Sequence, residues 1–327
     1  MHVGVSGDLL VRTVRVREVI GTTATANWLP VVNVKVKAKA WFYLSKTYTD
    51  TKGRYSLSRT RRKVDYKIEF ESDRVKITNW IGWSRNHNGP NNRRSGWSPN
   101  FDWWSESWAN ATLLNAAYEC RMQVNRKGMQ TPFPVGFWAG SGRAVNKLNI
   151  RVKYGEGTGR MITKPWTINE IKIWTEFDGG RRKGTDNLYR VAFHEFGHSM
   201  HARLSGTMSG TAKIIKESWA DFVEHYFIIE YYPNQSGASA SQWKEGEDME
   251  DGYTPLFIDL MDDDNQLSRL RGDRPDDNVR GYRFIQLQES LERNKTLREV
   301  RDHLRNNYTN STRGNLNQFF DFYFEFE

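Results

Sequence analysis

Residues 31–44 read VVNVKVKAKAWFYL, and no other run constrains the fold as tightly. Val32, Val34, Val36, Ala38, Ala40 and Phe42 fall on one side, and Lys35, Lys37 and Lys39 on the other. Successive side chains point to opposite faces of a strand, so a period of two with lysines on one face demands a half-buried strand. Such a strand needs partners. YTDTKGRYSL at 48–57 carries Asp50, Lys52 and Gly53 between two strand-like runs, which predicts a hairpin. DYKIEFES at 65–72 alternates through Tyr66, Ile68 and Phe70, and VRTVRVREV at 11–19 is a further candidate. Short strands at this spacing predict a small antiparallel sandwich.

The pattern V-x-V-x-V, then Y-T-D-T-K-G-R-Y-S-L, then Y-K-I-E-F resembles the carboxypeptidase regulatory-like, or transthyretin-like, β-sandwich family over about residues 8–78. The resemblance implies a non-catalytic support or adhesion module. It also implies an extracytoplasmic protein, whether secreted, periplasmic or on the cell surface. The first residues, MHVGVSGDLL, lack a signal-peptide pattern, and a trimmed leader would leave no trace.

The chain has 327 residues, a length that suits two domains. Its 13 Trp, 14 Tyr and 17 Phe supply bulk enough for packed cores. IGWSRNHNGPNNRRSGWSPN at 81–100 reads as a linker or long surface loop. From about residue 102 the period changes. Asp102 or Ser105 is placed to cap a helix carrying Trp104, Trp108, Ala111 and Leu114. LNIRVKY at 148–154 and INEIKIW at 168–174 alternate like strands; helices are expected at about 185–204 and 211–232, then over 281–293, 296–308 and the tail LNQFFDFYFEF. The expected fold is therefore multidomain. An all-β sandwich at 1–80 and a linker at 81–101 precede a mainly helical α+β domain at 102–327.

Lys and Arg total 48 against 39 Asp and Glu, a formal charge of +9. The basic residues are scattered, without an RNA-binding aromatic motif or zinc-finger spacing, so nucleic acid is not an expected partner. Cys120 is the single cysteine. It excludes an internal disulfide and a cysteine-rich zinc site. No run approaches the roughly 20 apolar residues of a membrane span.

Three of the seven histidines lie within VAFHEFGHSMH at 191–201. At about 100° per residue, Phe193, Phe196, Met200 and Leu204 share an arc of about 80°. His194, His198 and His201 occupy the opposite side within about 60°. HEFGH fits H-E-x-x-H, in which two imidazoles one turn apart reach one Zn²⁺ and the glutamate stands beside it. A catalytic zinc needs a third protein ligand. Glu217 follows His198 after eighteen residues, enough to finish a helix, turn and return on a second one. There Ile215, Phe222, Tyr226 and Ile229 form the apolar stripe, and Glu217 and Asp221 lie opposite, one turn apart. Glu217 can ligate, and Asp221 can fix the tautomer of a ligand imidazole.

H-E-x-x-H, eighteen residues and E-x-x-x-D together resemble the gluzincin metallopeptidases, the class of thermolysin and the M1 aminopeptidases, over residues 185–232. The resemblance implies a zincin-like fold, with His194, His198 and Glu217 as ligands of one catalytic zinc. It implies Glu195 as general base and Asp221 as the orienter of His194. It also makes Ile171, Lys172, Ile173 and Trp174 the edge strand that pairs with an extended peptide. The metzincin pattern fails, because its third-ligand position holds Leu204. The aminopeptidase G-x-M-E-N signature is not found in 102–193, which favours an endopeptidase acting on peptide or protein substrates.

Tyr253, Tyr282 and His225 are the candidates for oxyanion or substrate contact, and the sequence does not choose among them. His201 reads as a packing or supporting residue rather than a ligand. Asp262, Asp264 and Asn265 could bind Ca²⁺, but the spacing lacks the EF-hand glycine and terminal glutamate, which favours a solvated loop. GEGTGR at 155–160 lacks Gly-Lys-Ser/Thr and is expected to be a hairpin loop. Two other readings stay open at this level: a binding or adhesion protein with a structural zinc, and a zinc hydrolase of a non-peptide amide.

Overall fold

The computed structural model describes residues 5–8, 10–14, 26–41, 43–57, 63–91, 96–103, 105–133, 147–162, 170–206, 208–231, 249–263 and 278–327. The chain divides into two compact units. One comprises Met1–Arg121 with Phe133–Ala192, and the other Met122–Pro132 with Phe193–Glu327. The division does not fall at 81–101.

The first unit carries the strands. The alternating run forms β4 (Lys35–Ala40), antiparallel to β5 (Tyr43–Tyr48) and β7 (Asp65–Glu69), with β9 (Asn86–Asn88) beyond β7. Val32, Val34, Val36, Ala38 and Ala40 are all buried, as the alternation requires; Phe42 lies outside the described residues. The ladder starts only at Lys35 because Asn33 takes a left-handed φ of 56°, which Asn tolerates better than most residues. β6 (Arg54–Leu57) pairs with β1 (Val5–Asp8), not with β5. The Asp50–Gly53 turn forms, with Asp50 Oδ1 accepting from the amides of Lys52 and Arg54. It hands the chain to a different sheet rather than closing a hairpin. β2 (Leu10–Val14) pairs with β3 (Ala26–Pro30) and, in parallel, with β10 (Asn100–Phe101). Residues 15–19 of that expected strand are outside the described set.

Residues 8–78 do not form a self-contained module. β8 (Val75–Asn79) pairs in parallel with β11 (Leu148–Glu156), which lies parallel to β13 (Glu170–Glu176). Val75, Ile77, Leu148, Ile150, Val152, Ile171 and Ile173 are buried, so this sheet forms one core from distant segments. The strand order is β12–β13–β11–β8, with β12 (Gly159–Ile162) antiparallel to β13. Ile171 to Trp174 therefore lie on an interior strand, not on the expected edge. GEGTGR is not a hairpin loop either, because β11 and β12 sit on opposite sides of β13. The crossing requires Gly157, at φ 143°; a Cβ there would stand 2.7 Å from the Trp174 ring.

Ser105 caps α1 (Glu106–Lys127) by accepting from the Trp108 amide at 3.2 Å. Asn115 on α1 donates to the Pro30 carbonyl and accepts from Val32 N–H, fixing the helix beside the entry to β4.

The second unit is helical. Its elements are the part of α2 (Thr185–Ser205) from Phe193 onward, α3 (Lys213–Tyr231), α4 (Leu256–Asp259), α5 (Phe284–Glu289), α6 (Leu297–Asn307) and α7 (Leu316–Tyr323). Trp219, Phe222, Phe257 and Phe284 pack ring on ring. Of the expected α3 stripe, Ile215 and Phe222 are buried, whereas Ile229 is exposed. Thr296 and Glu299 close a capping box on α6. No described helix is long and apolar enough to cross a membrane.

Candidate metal centre

His194 and His198 stand one turn apart on α2, and Glu217 and Asp221 one turn apart on α3. Their backbones are held close by Gly197, where a Cβ would lie 2.8 Å from Ala220 Cα. The two imidazole rings meet nearly edge to face, centroids 4.8 Å apart and planes at 86°. Glu217 Oε2 lies 3.5 Å from His194 Nε2 and 3.2 Å from His198 Nε2.

Ligand atoms about 2.05 Å from a tetrahedral zinc are about 3.3 Å from one another, so both contacts match the edge of such a shell. His194, His198 and Glu217 thus form a group that could hold a metal ion. Two neutral imidazoles and one carboxylate suit Zn²⁺ and leave a fourth position for water.

His194 Nδ1 donates to Asp221 Oδ1 at 3.0 Å, which turns Nε2 toward the shared point. Burial alone would lower the His194 pKa, but hydrogen bonds to Asp221 and Glu217, with the charge of Glu195, raise it well above the usual range. Burial likewise opposes ionisation of Glu217, and the imidazoles of His194 and His198 more than offset it, holding the carboxyl low. Ligand imidazoles bind a metal in their neutral form, so a divalent ion at this point would compete with protons for Nε2.

Glu195 is buried at 3% exposure, and its charge bears on both His194 and Tyr253. Tyr253 is the one of the three oxyanion candidates that the structure brings to the cluster. Its ring lies 6.0 Å from that of His194. Burial, then the charges of Glu217, Asp221 and Glu195, raise its pKa, and it hydrogen-bonds Glu217. Tyr282 is buried and has Arg313 as its charged neighbour, while His225 is buried one turn beyond Asp221 and belongs to neither metal-capable group. His201 is fully buried, and burial, with His198 and Lys216, brings its pKa down to about 3. It is a neutral core residue. Asp264 and Asn265 of the calcium reading lie outside the described residues.

Glu224 is a residue that sequence reasoning missed. Its Oε2 is 3.7 Å from His194 Nδ1, and with His194 and Asp221 it makes a second group that could hold a metal. The signal was available: Glu217, Asp221 and Glu224 share one helical face within about 60°.

Comparison with protein families, curated proteins and solved structures finds no match.

Proposed function

We propose that the chain is a zinc-dependent hydrolase of peptide bonds, an endopeptidase of the gluzincin kind. One observation carries the reading. His194 Nε2, His198 Nε2 and Glu217 Oε2 converge at separations suited to one tetrahedral ion, while Asp221 holds the far side of His194. A bound zinc supplies a Lewis acid that polarises the scissile carbonyl and brings the pKa of water toward 7. Glu195 is the general base that takes the proton from the attacking water, and it returns that proton to the leaving nitrogen. Its burial beside the cluster suits that exchange. Tyr253, held protonated by burial and then by the carboxylates around it, donates to the oxygen on which negative charge develops. Asp221 keeps the His194 ring oriented throughout.

The test pairs zinc analysis with a peptide-library digest. The expected result is one zinc per chain in wild type and in Glu195→Ala, with cleavage only in wild type. His198→Ala is expected to lose the zinc. Full cleavage by Glu195→Ala would overturn the mechanism, and zinc binding without cleavage of any peptide would overturn the peptidase reading.

A further inference from the structure

The β4–β5 ladder ends at Ala40 opposite Tyr43, and this tip carries Trp41, with Lys39 and Lys46 behind it in the ladder. Water-facing turns usually carry Gly, Asn or Asp at positions of positive φ. Here Trp41 occupies such a position, at φ 48°, and stands 80% exposed. Backbone strain at a bulky residue with its side chain in solvent has no return within the fold. The register pairs Lys39 with Leu44 and Lys37 with Lys46. Because Val36, Ala38 and Ala40 face inward, Leu44, Lys46 and Tyr48 share the outer face with Lys37 and Lys39. Leu44 is 56% exposed. Lys37 pairs with Glu69 at 2.6 Å, whereas Lys39 and Lys46 form no ion pair among the described residues.

We propose that this tip docks on the interfacial layer of an anionic lipid bilayer. Trp41 and Leu44 enter the headgroup region, where an amphipathic indole is at its most favourable. Lys39 and Lys46 lie over anionic headgroups. Charge complementarity selects lipid over a second copy of the chain. Apposing two such tips would bring unpaired lysines together on molecules that each carry +9. A sugar platform would need fixed hydrogen-bonding groups around the exposed ring, and the outer-face pairs behind it on this hairpin are Lys39 with Leu44 and Lys37 with Lys46, with Asp65 opposite Lys39 on the other side.

The test is flotation with vesicles of phosphatidylcholine containing about a quarter phosphatidylglycerol, beside vesicles of phosphatidylcholine alone. Wild type is expected to float with the anionic vesicles and at least about tenfold less with the neutral ones. Trp41→Gly/Leu44→Ser and Lys39→Glu/Lys46→Glu are each expected to lose at least about tenfold in partitioning. A melting temperature equal to or above wild type in the Trp41→Gly/Leu44→Ser variant shows that the loss is not unfolding, since glycine relieves the strain. Wild type that stays with the protein fraction, or tip variants that float as wild type does, overturns the proposal. So does a Trp41-dependent dimer without vesicle binding.

Discussion

Trp219 donates its indole N–H to the carbonyl of Gly197 at 3.1 Å, and the two residues lock α3 against α2 where the metal-capable side chains converge. Gly197 leaves no space on the α3 side: a Cβ would meet Ala220 Cα at 2.8 Å and Val223 Cβ at 3.1 Å. Gly197→Ala is therefore expected to push the helices apart although alanine is the better helix former. Overpacking of this kind costs about 1–3 kcal/mol. The check is a urea midpoint together with zinc affinity. Both should fall, and a gain in stability, as propensity alone would give, would show that the contact is not tight.

Lys183 supports the β-rich unit from within. It is 2% exposed, and its ammonium donates to the carbonyls of Gly157, Trp174 and Glu176. Burial lowers its pKa to about 8, with Asp178 and Glu176 opposing, so it is charged at neutral pH. Lys183→Met keeps most of the volume and removes the charged donor: the Glu176 carbonyl retains the Gly157 N–H, while the Gly157 and Trp174 carbonyls each lose a hydrogen bond. Loss of a hydrogen bond to a charged donor costs about 1.5–3 kcal/mol. A drop in melting temperature of several degrees is expected, and a neutral outcome would mean that water reaches the carbonyls.

Glu69 and Glu71 tie stability to pH. Burial would raise both pKa values, but the lysines they contact more than offset it: Lys37 and Lys35 for Glu69, Lys147 and Lys35 for Glu71. Both carboxyls therefore titrate below their ordinary value of 4.5 in the folded state. As pH falls the unfolded chain takes up these protons first. The stabilisation is full above pH 4.5 and is lost as pH drops through the lowered folded-state values. Urea midpoints between pH 6 and 3 should fall for wild type. Glu71→Gln should start lower, by on the order of 1 kcal/mol, and fall less steeply. Parallel curves would remove the cluster as the source.

What the sequence made legible follows the elements with a single buried face. The β4 alternation and the side chains at 194, 198, 217 and 221 are periodic patterns, and period alone puts such residues on one side of a strand or helix. Glu224 has the same period and was overlooked because the E-x-x-x-D motif ends before it. The interior position of β13 was not legible. Its covering strand, β12, is only GRMI and follows a glycine-rich run. The parallel partner of β8 lies some seventy residues away, a distance that local pattern does not span. Tyr253 sits outside the long helices, where no period discriminates it from Tyr282.

Glu224 and Tyr253 separate support of the site from chemistry at it. Glu224 lies 3.7 Å from the His194 nitrogen that already donates to Asp221, so its charge bears on the ligand without displacing that hydrogen bond. Tyr253 borders the cluster itself, 6.0 Å ring to ring from His194. Loss of a carboxylate behind a ligand histidine costs roughly 10–100-fold in metal affinity or activity, whereas loss of an oxyanion donor costs roughly 10²–10³ in kcat. Glu224→Gln is therefore expected to release zinc to a chelator more readily, with activity recovered when zinc is saturating. Tyr253→Phe should keep its zinc and lose kcat with KM little changed. If the roles were exchanged, zinc loss would follow the tyrosine and the kcat defect the glutamate, and Tyr253 would then be a support of Glu217, to which it hydrogen-bonds.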